Sequence, residues 1–459
     1  MTGTESSAAT RRLICLLLLI LVTGFAFQLR FAAYRDTVIE GPVRADAREY
    51  VIYAFNLKFL GTYSSLAVDP ASGEQPLPDA RRTPGYPLYL AMFIDNPLTY
   101  GSLSNALLGQ VLMGTCVVLL TFLLASPLLG NFGALLAALL AACSPHLINA
   151  GLYLLTEILF ALLLIGGLLL CYFAVKQQRA WLFLFAGIVI GLGALTRPAL
   201  QYFPIALAVL IICHLGLRSA IRPILSCLLG FTLIYGPWIA RNLATLGTPS
   251  DNSILVVTLS HGAYPDMRYD NDPRTFGYPY RYDPRSKEIV QNMHSVLAEI
   301  ERRFSAEPAR HLRWYLLGKP VTLWSWKMVQ GRDPGFVYPP KATPYQRNGV
   351  HSASAGIMQA GHTVTVILGM IGALLAYLPG HLIGFSGAAL FLVRLVSLSV
   401  IYWTVLHMVA APFPRYSVPL RPELYALALL PLCVIARRIT TTRAQQKSIK
   451  KRRTTTSGQ

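Results

Sequence analysis

The chain is poor in charge. Only 13% of its 459 residues are Asp, Glu, Lys or Arg, against roughly 25% in soluble domains. With 54% hydrophobic residues, it is too apolar for a soluble globular protein. It is long enough for many membrane spans of roughly 20 residues each, plus a modest water-exposed part. Acidic residues are the scarcer sign, 21 against 40 Lys and Arg, for a net charge of +19. Such a balance suggests nucleic acid or acidic lipid as partner. The placement of the charge argues against nucleic acid. Arg437, Arg438, Arg443, Lys447 and Lys450-Lys451-Arg452-Arg453 crowd the tail, with no interleaved aromatics on which bases would stack. A basic tail after the last apolar run instead marks a cytoplasmic end beside anionic headgroups.

Familiar motifs are missing as well. The seven cysteines all lie inside or at the edges of apolar runs and form no CxxC, so neither a disulfide framework nor a cysteine-held metal is expected. His261, His294, His311, His351 and His362 show no HxxxH or HxH spacing, and no metal or other cofactor is indicated. There is no P-loop, no dinucleotide glycine fingerprint and no Gly-x-Ser-x-Gly elbow.

What is present is a series of about ten apolar runs. They cover residues 13–31, 104–124, 132–143, 152–175, 181–195, 202–215, 221–239, 364–378, 385–410 and 418–436. The first follows Arg11-Arg12, is longer than a signal h-region and lacks a small-residue cleavage site, so it reads as a retained span. The prediction is an all-α polytopic membrane protein with about ten transmembrane helices. Residues 1–240 form an N-terminal transmembrane module with a first outer loop at 34–103. Residues 241–361, rich in Tyr, Pro, Asp and Arg, form a mixed extracytoplasmic subdomain, 362–436 the C-terminal spans, and 437–459 the basic cytoplasmic tail. Positive charge in the short loops (Arg11-Arg12, Lys176 and Arg179, Arg218 and Arg222) puts both termini in the cytoplasm. The first loop, the turns at 144–151 and 196–198, the 241–361 segment and residues 411–416 then all face outward.

Several polar residues fall on that face. In the first loop, Asp46-Ala47-Arg48-Glu49-Tyr50 has the spacing of a capping box, with Asp46 accepting from the Glu49 N–H. A catalytic carboxylate at a helix start is the other reading, and the two are compatible, since a helix N-terminus favours the ionised form. Tyr50, Tyr53, Phe55 and Phe59 suit helices lying in the membrane interface. Arg81-Arg82-Thr83-Pro84-Gly85-Tyr86-Pro87 presents two guanidinium groups on a rigid turn, suited to phosphate or to snorkelling beside it. Glu157 lies in an apolar run, where an ionisable residue is functional or paired; an ion pair with Arg197 stands beside a catalytic role. His146 reads as a turn residue. Arg197, Arg241 and Arg415 each sit at the outer end of a span beside prolines. Together with Arg81 and Arg82 they compose a candidate anion site.

In order along the chain, these residues resemble the membrane glycosyltransferases of the GT-C superfamily. The branch is the one containing the protein O-mannosyltransferases and the bacterial aminoarabinose–lipid A transferase. The likeness rests on Asp46 with Tyr50 and on Arg82-Thr83-Pro84-Gly85-Tyr86-Pro87. It extends through Thr156-Glu157, Leu195-Thr196-Arg197-Pro198, Pro237-Trp238-Ile239-Ala240-Arg241-Asn242 and Arg415-Tyr416-Ser417-Val418-Pro419. The resemblance implies a GT-C-like fold in a bacterial inner membrane and a sugar donor carried on polyprenyl phosphate. Transfer to an acceptor hydroxyl of lipid, glycan or protein would invert the anomeric centre on the outer face. Asp46 matches the family's first-loop catalytic carboxylate and Arg82 the cation near the donor phosphate. Arg81, Arg197, Arg241 and Arg415 are further phosphate candidates, and Tyr50 and Tyr86 substrate candidates. Many relatives carry a second acid beside the aspartate; here Ala47 follows, and Glu157 is the candidate for that charge. Arginines that neutralise the leaving phosphate would make a metal unnecessary.

Other functions use the same residues differently. A transporter or flippase of lipid-linked sugars needs the arginines but no base, and no internal repeat of the kind transporters carry is visible. A glycan polymerase or ligase would depend on an Arg or His of the long outer segment rather than on Asp46. An assembly scaffold would have the fold without the chemistry.

Overall fold

The structure, a computed structural model, describes residues 2–69, 72–329 and 331–456, with side chains from Thr10 to Arg438. The side chains of Arg443, Lys447 and residues 450–453, assigned to the basic tail, lie outside the described residues. The chain is helical almost throughout. It begins with α1 (Thr2–Asp36), the loop helices α2 (Asp46–Phe55) and α3 (Gly85–Ala91), then α4 (Tyr100–Cys143) and α5 (Pro145–Ala150). Next come α6 (Glu157–Gln177), α7 (Ala180–Thr196), α8 (Phe203–Leu215) and α9 (Leu217–Leu246). An inserted segment carries α10 (Ser253–Gly262), α11 (Ser286–Ile289), α12 (Met293–Ala306), α13 (Pro308–Arg313) and α14 (Lys319–Leu323). It is followed by α15 (Gly349–Leu375), α16 (Gly380–Ile383), α17 (Gly387–Val409) and α18 (Arg421–Thr456).

Among the described residues, eight helices are long and apolar enough to cross a membrane, and the protein is a multi-pass membrane protein. The expectation of about ten differs in two places. The runs at 104–124 and 132–143 count as one continuous stretch, α4, but a break at Gly130 with φ 70° and ψ 177° divides it into the two arms that the sequence separates. That left-handed angle suits glycine. Arg30 of α1 shows that the two arms of α4 lie side by side. Its guanidinium donates to the carbonyls of Ala141 and Ala142 at 3.0 and 3.2 Å, while a Cβ on Gly114 would meet its Nε at 3.1 Å. The other difference is α7, whose 17 residues reach only about 25 Å at 1.5 Å per residue.

Glycines set the tightest crossing. A Cβ on Gly187 of α7 would lie 2.0 Å from the Cys227 carbonyl oxygen, and one on Gly230 of α9 would lie 2.0 Å from that of Leu184. Close backbone approach of this kind is how membrane helices gain packing where burial from water gives no drive. The outer surface is greasy, with Leu13, Ile20 and Leu229 all more than half exposed, as lipid contact requires.

One end of the bundle gathers the loops. The inserted segment runs from 247 to 348, shorter than the expected 241–361 because α9 continues through Leu246 and α15 begins at Gly349. It is tied to the first loop by an antiparallel pairing of β1 (Val38–Ile39) with β2 (Pro340–Ala342). The 144–151 turn holds it too. His146 Nε2 meets the Trp326 carbonyl at 2.7 Å, and Asn149 donates to the Pro334 carbonyl at 2.6 Å. Tyr50 and Tyr53 of α2 are buried against protein.

Candidate active site

Asp46 opens α2, and its carboxylate does not cap the helix. The residue before it, Ala45, occupies the N-cap with φ 47°, and no side chain accepts from the first turn. The capping box expected from the Asp46–Glu49 spacing is therefore absent. Two guanidinium groups claim the carboxylate in its place, in bonds between two full opposite charges. Arg82 donates from Nη2 to Asp46 Oδ1 at 2.8 Å and from Nε to Glu49 Oε2 at 2.7 Å. Arg415, which comes from the chain between α17 and α18, donates to Asp46 Oδ2. The Asp46 side chain is 23% exposed. Burial pushes its carboxyl up, but the charges of Arg415 and Arg82 and their hydrogen bonds outweigh that. They hold it well below the usual carboxylate range.

The Arg82 turn is fixed from several sides. Asp79 accepts from the Ser65 amide and hydroxyl, both at 2.7 Å, and from the Tyr53 hydroxyl. Tyr63 donates to the Arg82 carbonyl at 2.9 Å. Gly85 packs on the end of α7, where a Cβ would stand 2.7 Å from backbone atoms of Leu195 and Thr196. Gly85→Ala therefore forces α3 off α7. It is expected to destabilise the protein by about 1–3 kcal/mol and to lower turnover by displacing Arg82. Thermal unfolding in detergent, alongside activity, checks both.

Asp46, Glu49, Arg81, Arg82 and Arg415 line one side of a cavity of about 380 Å³. The inserted segment supplies another side, with His261, Tyr278, Tyr280 and Arg281, and Tyr338 and Tyr416 also reach it. Burial pushes the Tyr278 hydroxyl up to about 12, so it remains a donor. Burial, with Arg281 nearby, lowers His261 to about 4, so its stacked ring beside Tyr280 is neutral at physiological pH.

The other sequence candidates lie elsewhere. Glu157 is 3% exposed and pairs with Arg197 at 2.5 Å. Arg197 also donates to Thr156 Oγ1 at 2.8 Å and lies over the Tyr416 ring. Neither residue lines the cavity; they form a buried pair behind its Tyr416 wall. Arg241 is spent on the backbone, donating to the carbonyls of Asp79 and Tyr63 at 2.8 and 3.1 Å, so it pins the first loop to α9. Tyr86 is fully buried and donates to Gln110 at 2.9 Å. Tyr50 is buried beneath Arg82, whose guanidinium stands 5.3 Å from its ring centre. Asp79, His261, Tyr278, Tyr280 and Arg281 were missed. Only the crowding of aromatics around Arg281, in Tyr278-Pro279-Tyr280-Arg281-Tyr282, gave a signal. Among the described residues, no three His, Cys, Asp or Glu side chains gather as metal ligands would.

The architecture has known counterparts. The archaeal oligosaccharyltransferase AglB from Archaeoglobus fulgidus, in complex with an inhibitory peptide and a dolichol-phosphate, superposes with a TM-score of 0.52. The two are 16% identical over 95% of this chain and 52% of that one. The same enzyme in its apo form gives 0.50 at 14% identity, over 95% of this chain and 52% of that one. A family model, dolichyl-phosphate-mannose-protein mannosyltransferase, matches residues 83–240. The chain has the GT-C fold. It spans about half the length of the oligosaccharyltransferase, and no curated protein matches it by sequence. In this GT-C fold, the family-matched segment holds Gly85, Tyr86, Glu157 and Arg197. Asp46, Arg82 and Arg415 come from outside it.

Proposed function

We propose that this protein moves a sugar from a polyprenyl-phosphate donor to an acceptor hydroxyl, with inversion. The carrying observation is Asp46, bridged by Arg82 and Arg415 on the wall of a cavity at the loop end of a GT-C bundle. The active face is outward, in a bacterial inner membrane with both termini cytoplasmic, as the short-loop charges favour. The inserted segment acts as an extracytoplasmic subdomain covering the site. The dolichol-phosphate and peptide bound by the archaeal relative favour a lipid-phosphate donor and a separate acceptor, here a hydroxyl of lipid, glycan or protein.

The acceptor O–H gives its proton to Asp46 while its oxygen attacks the anomeric carbon. The bond from that carbon to the phosphate oxygen breaks, and the electron pair leaves with the phosphate. The phosphodiester carries one negative charge and the departing monoester approaches two. A carboxylate held so far below the usual range is a weak base. The same guanidiniums offset this. Protonating Asp46 removes the charge that Arg82 and Arg415 neutralise, and frees their N–H groups as charge builds on the phosphate.

A divalent cation suits this site poorly. Both Asp46 oxygens and one of Glu49 already accept from guanidiniums, so the donor set is saturated with positive charge. Purified protein treated with EDTA and incubated with a panel of polyprenyl-phosphate sugars, together with lipid, glycan and peptide hydroxyl acceptors, is expected to consume one of the donors and release polyprenyl phosphate. Turnover that returns only with added divalent metal would overturn the metal-free reading. Loss of no donor at all would overturn the transferase.

A further inference from the structure

Of the five arginines that the sequence offers for a phosphate, four are already engaged. Arg82 holds Asp46 and Glu49, and Arg415 holds Asp46. Arg197 holds Glu157, and Arg241 holds backbone carbonyls of the first loop. The fifth, Arg81, is 45% exposed and stands 3.7 Å from Glu49, at the loose end of ion-pair range. The cavity wall nevertheless carries a further cation. Arg281, on the Pro279–Arg281 turn of the inserted segment, lines the cavity, and among the described residues no carboxylate pairs with it. Its guanidinium rests on the Tyr278 ring, 4.5 Å from the centroid. A cation–π seat of this kind orients the plane and leaves the edge N–H groups free for a bidentate acceptor.

The charge count agrees. The cavity is lined by four arginines, Arg81, Arg82, Arg281 and Arg415, against two carboxylates, Asp46 and Glu49. The surplus is two positive charges, one more than the bound phosphodiester carries and a match for the departing monoester. Tyr278 joins the two sides, because its hydroxyl lies within electrostatic reach of both the Asp46–Arg415 pair and Arg281.

We propose that Arg281, with Arg81, is the primary grip on the phosphate of the lipid-linked substrate. The inserted segment then supplies the phosphate site, and Arg82 and Arg415 serve Asp46 until the phosphate departs. This assignment rests on the lipid-phosphate reading above. The phosphate could belong to the donor or to a phosphorylated acceptor; both present the same group to Arg281, and the donor is the assigned source.

The test measures binding of geranylgeranyl phosphate to the full-length protein in detergent, with geranylgeraniol as the neutral control. Arg281 is exposed, so Arg281→Gln is expected to fold normally. It should weaken geranylgeranyl phosphate about tenfold or more, in the range of a lost charge-assisted bond, and leave the alcohol unaffected. Arg281→Lys should recover part of the loss. In the transfer assay, Arg281→Gln should raise KM for the donor and leave KM for the acceptor unchanged. Wild-type affinity in Arg281→Gln, or a KM rise for the acceptor alone, would overturn this assignment and leave the transferase standing. No saturable binding to the wild type would overturn both.

Discussion

Asp46→Asn should lower kcat by about 100- to 10,000-fold, the range that a general base contributes, while the protein folds and inserts normally. Asparagine keeps the shape and one acceptor oxygen. Arg82 keeps Glu49 as partner, at 2.7 Å, and Arg415, which loses its carboxylate, keeps the amide oxygen as acceptor. The Asp46 side chain is 23% exposed, and losing its charge should cost roughly 1 kcal/mol of stability. The ion pairs also fix the pH behaviour. Because the folded Asp46 carboxyl lies below its usual range, it stays ionised through mildly acidic pH. Its contribution to stability is fully present above the ordinary carboxylate range and is lost progressively as pH falls from there through the lower folded value. On its acid side kcat/KM should therefore hold steady from neutrality to about pH 5, since that ratio reports the free enzyme. The same variant separates the alternatives. A flippase would retain lipid movement with asparagine at this position, and a ligase run by the inserted segment would retain turnover.

Arg197→Ala should be the most destabilising change near the site. It leaves the Glu157 carboxylate buried without its partner, at 3% exposure, with one oxygen already lacking a hydrogen bond. Breaking a buried pair in this way costs about 3–5 kcal/mol. Replacing both members with apolar residues of similar volume, Glu157→Leu with Arg197→Met, should restore most of that loss. Thermal unfolding of the two single variants and the double variant in one detergent measures the coupling. Activity should fall in the single variant as well, because Arg197 lies 5.7 Å from the centre of the Tyr416 ring that lines the cavity. If Arg197→Ala unfolds with the wild type, the pair is not what supports that wall.

Much of the membrane part was legible because a span must be long and apolar wherever it sits in a fold. The break at Gly130 was legible too, as the gap between the runs at 104–124 and 132–143, although which residue makes it was not. The conjunction of Asp46 with Arg82 and Arg415 rested on topology. Short-loop charge put their loops on one side, although 369 residues separate Asp46 from Arg415. Topology brings residues to a face and cannot say which of them share a cavity. Arg241 and Tyr86 reached the right end of the bundle and were consumed there by backbone and Gln110. The Asp46–Glu49 spacing fits a capping box equally well. What decided against it was an arginine far along the chain, which no local pattern reveals. Arg281 stayed hidden for the opposite reason. It lies in a segment of short turns, where no regular element ties its position to a face.

The central claim is that Asp46 activates the acceptor hydroxyl and does not itself attack the sugar. The most direct test is the anomeric configuration of the product, read by NMR after transfer from a polyprenyl-phosphate sugar of defined configuration. A single displacement predicts inversion, whereas attack by a carboxylate would give a covalent intermediate and net retention. An inverted product, formed by the wild type and lost in Asp46→Asn, is the predicted result; a retained configuration would contradict it.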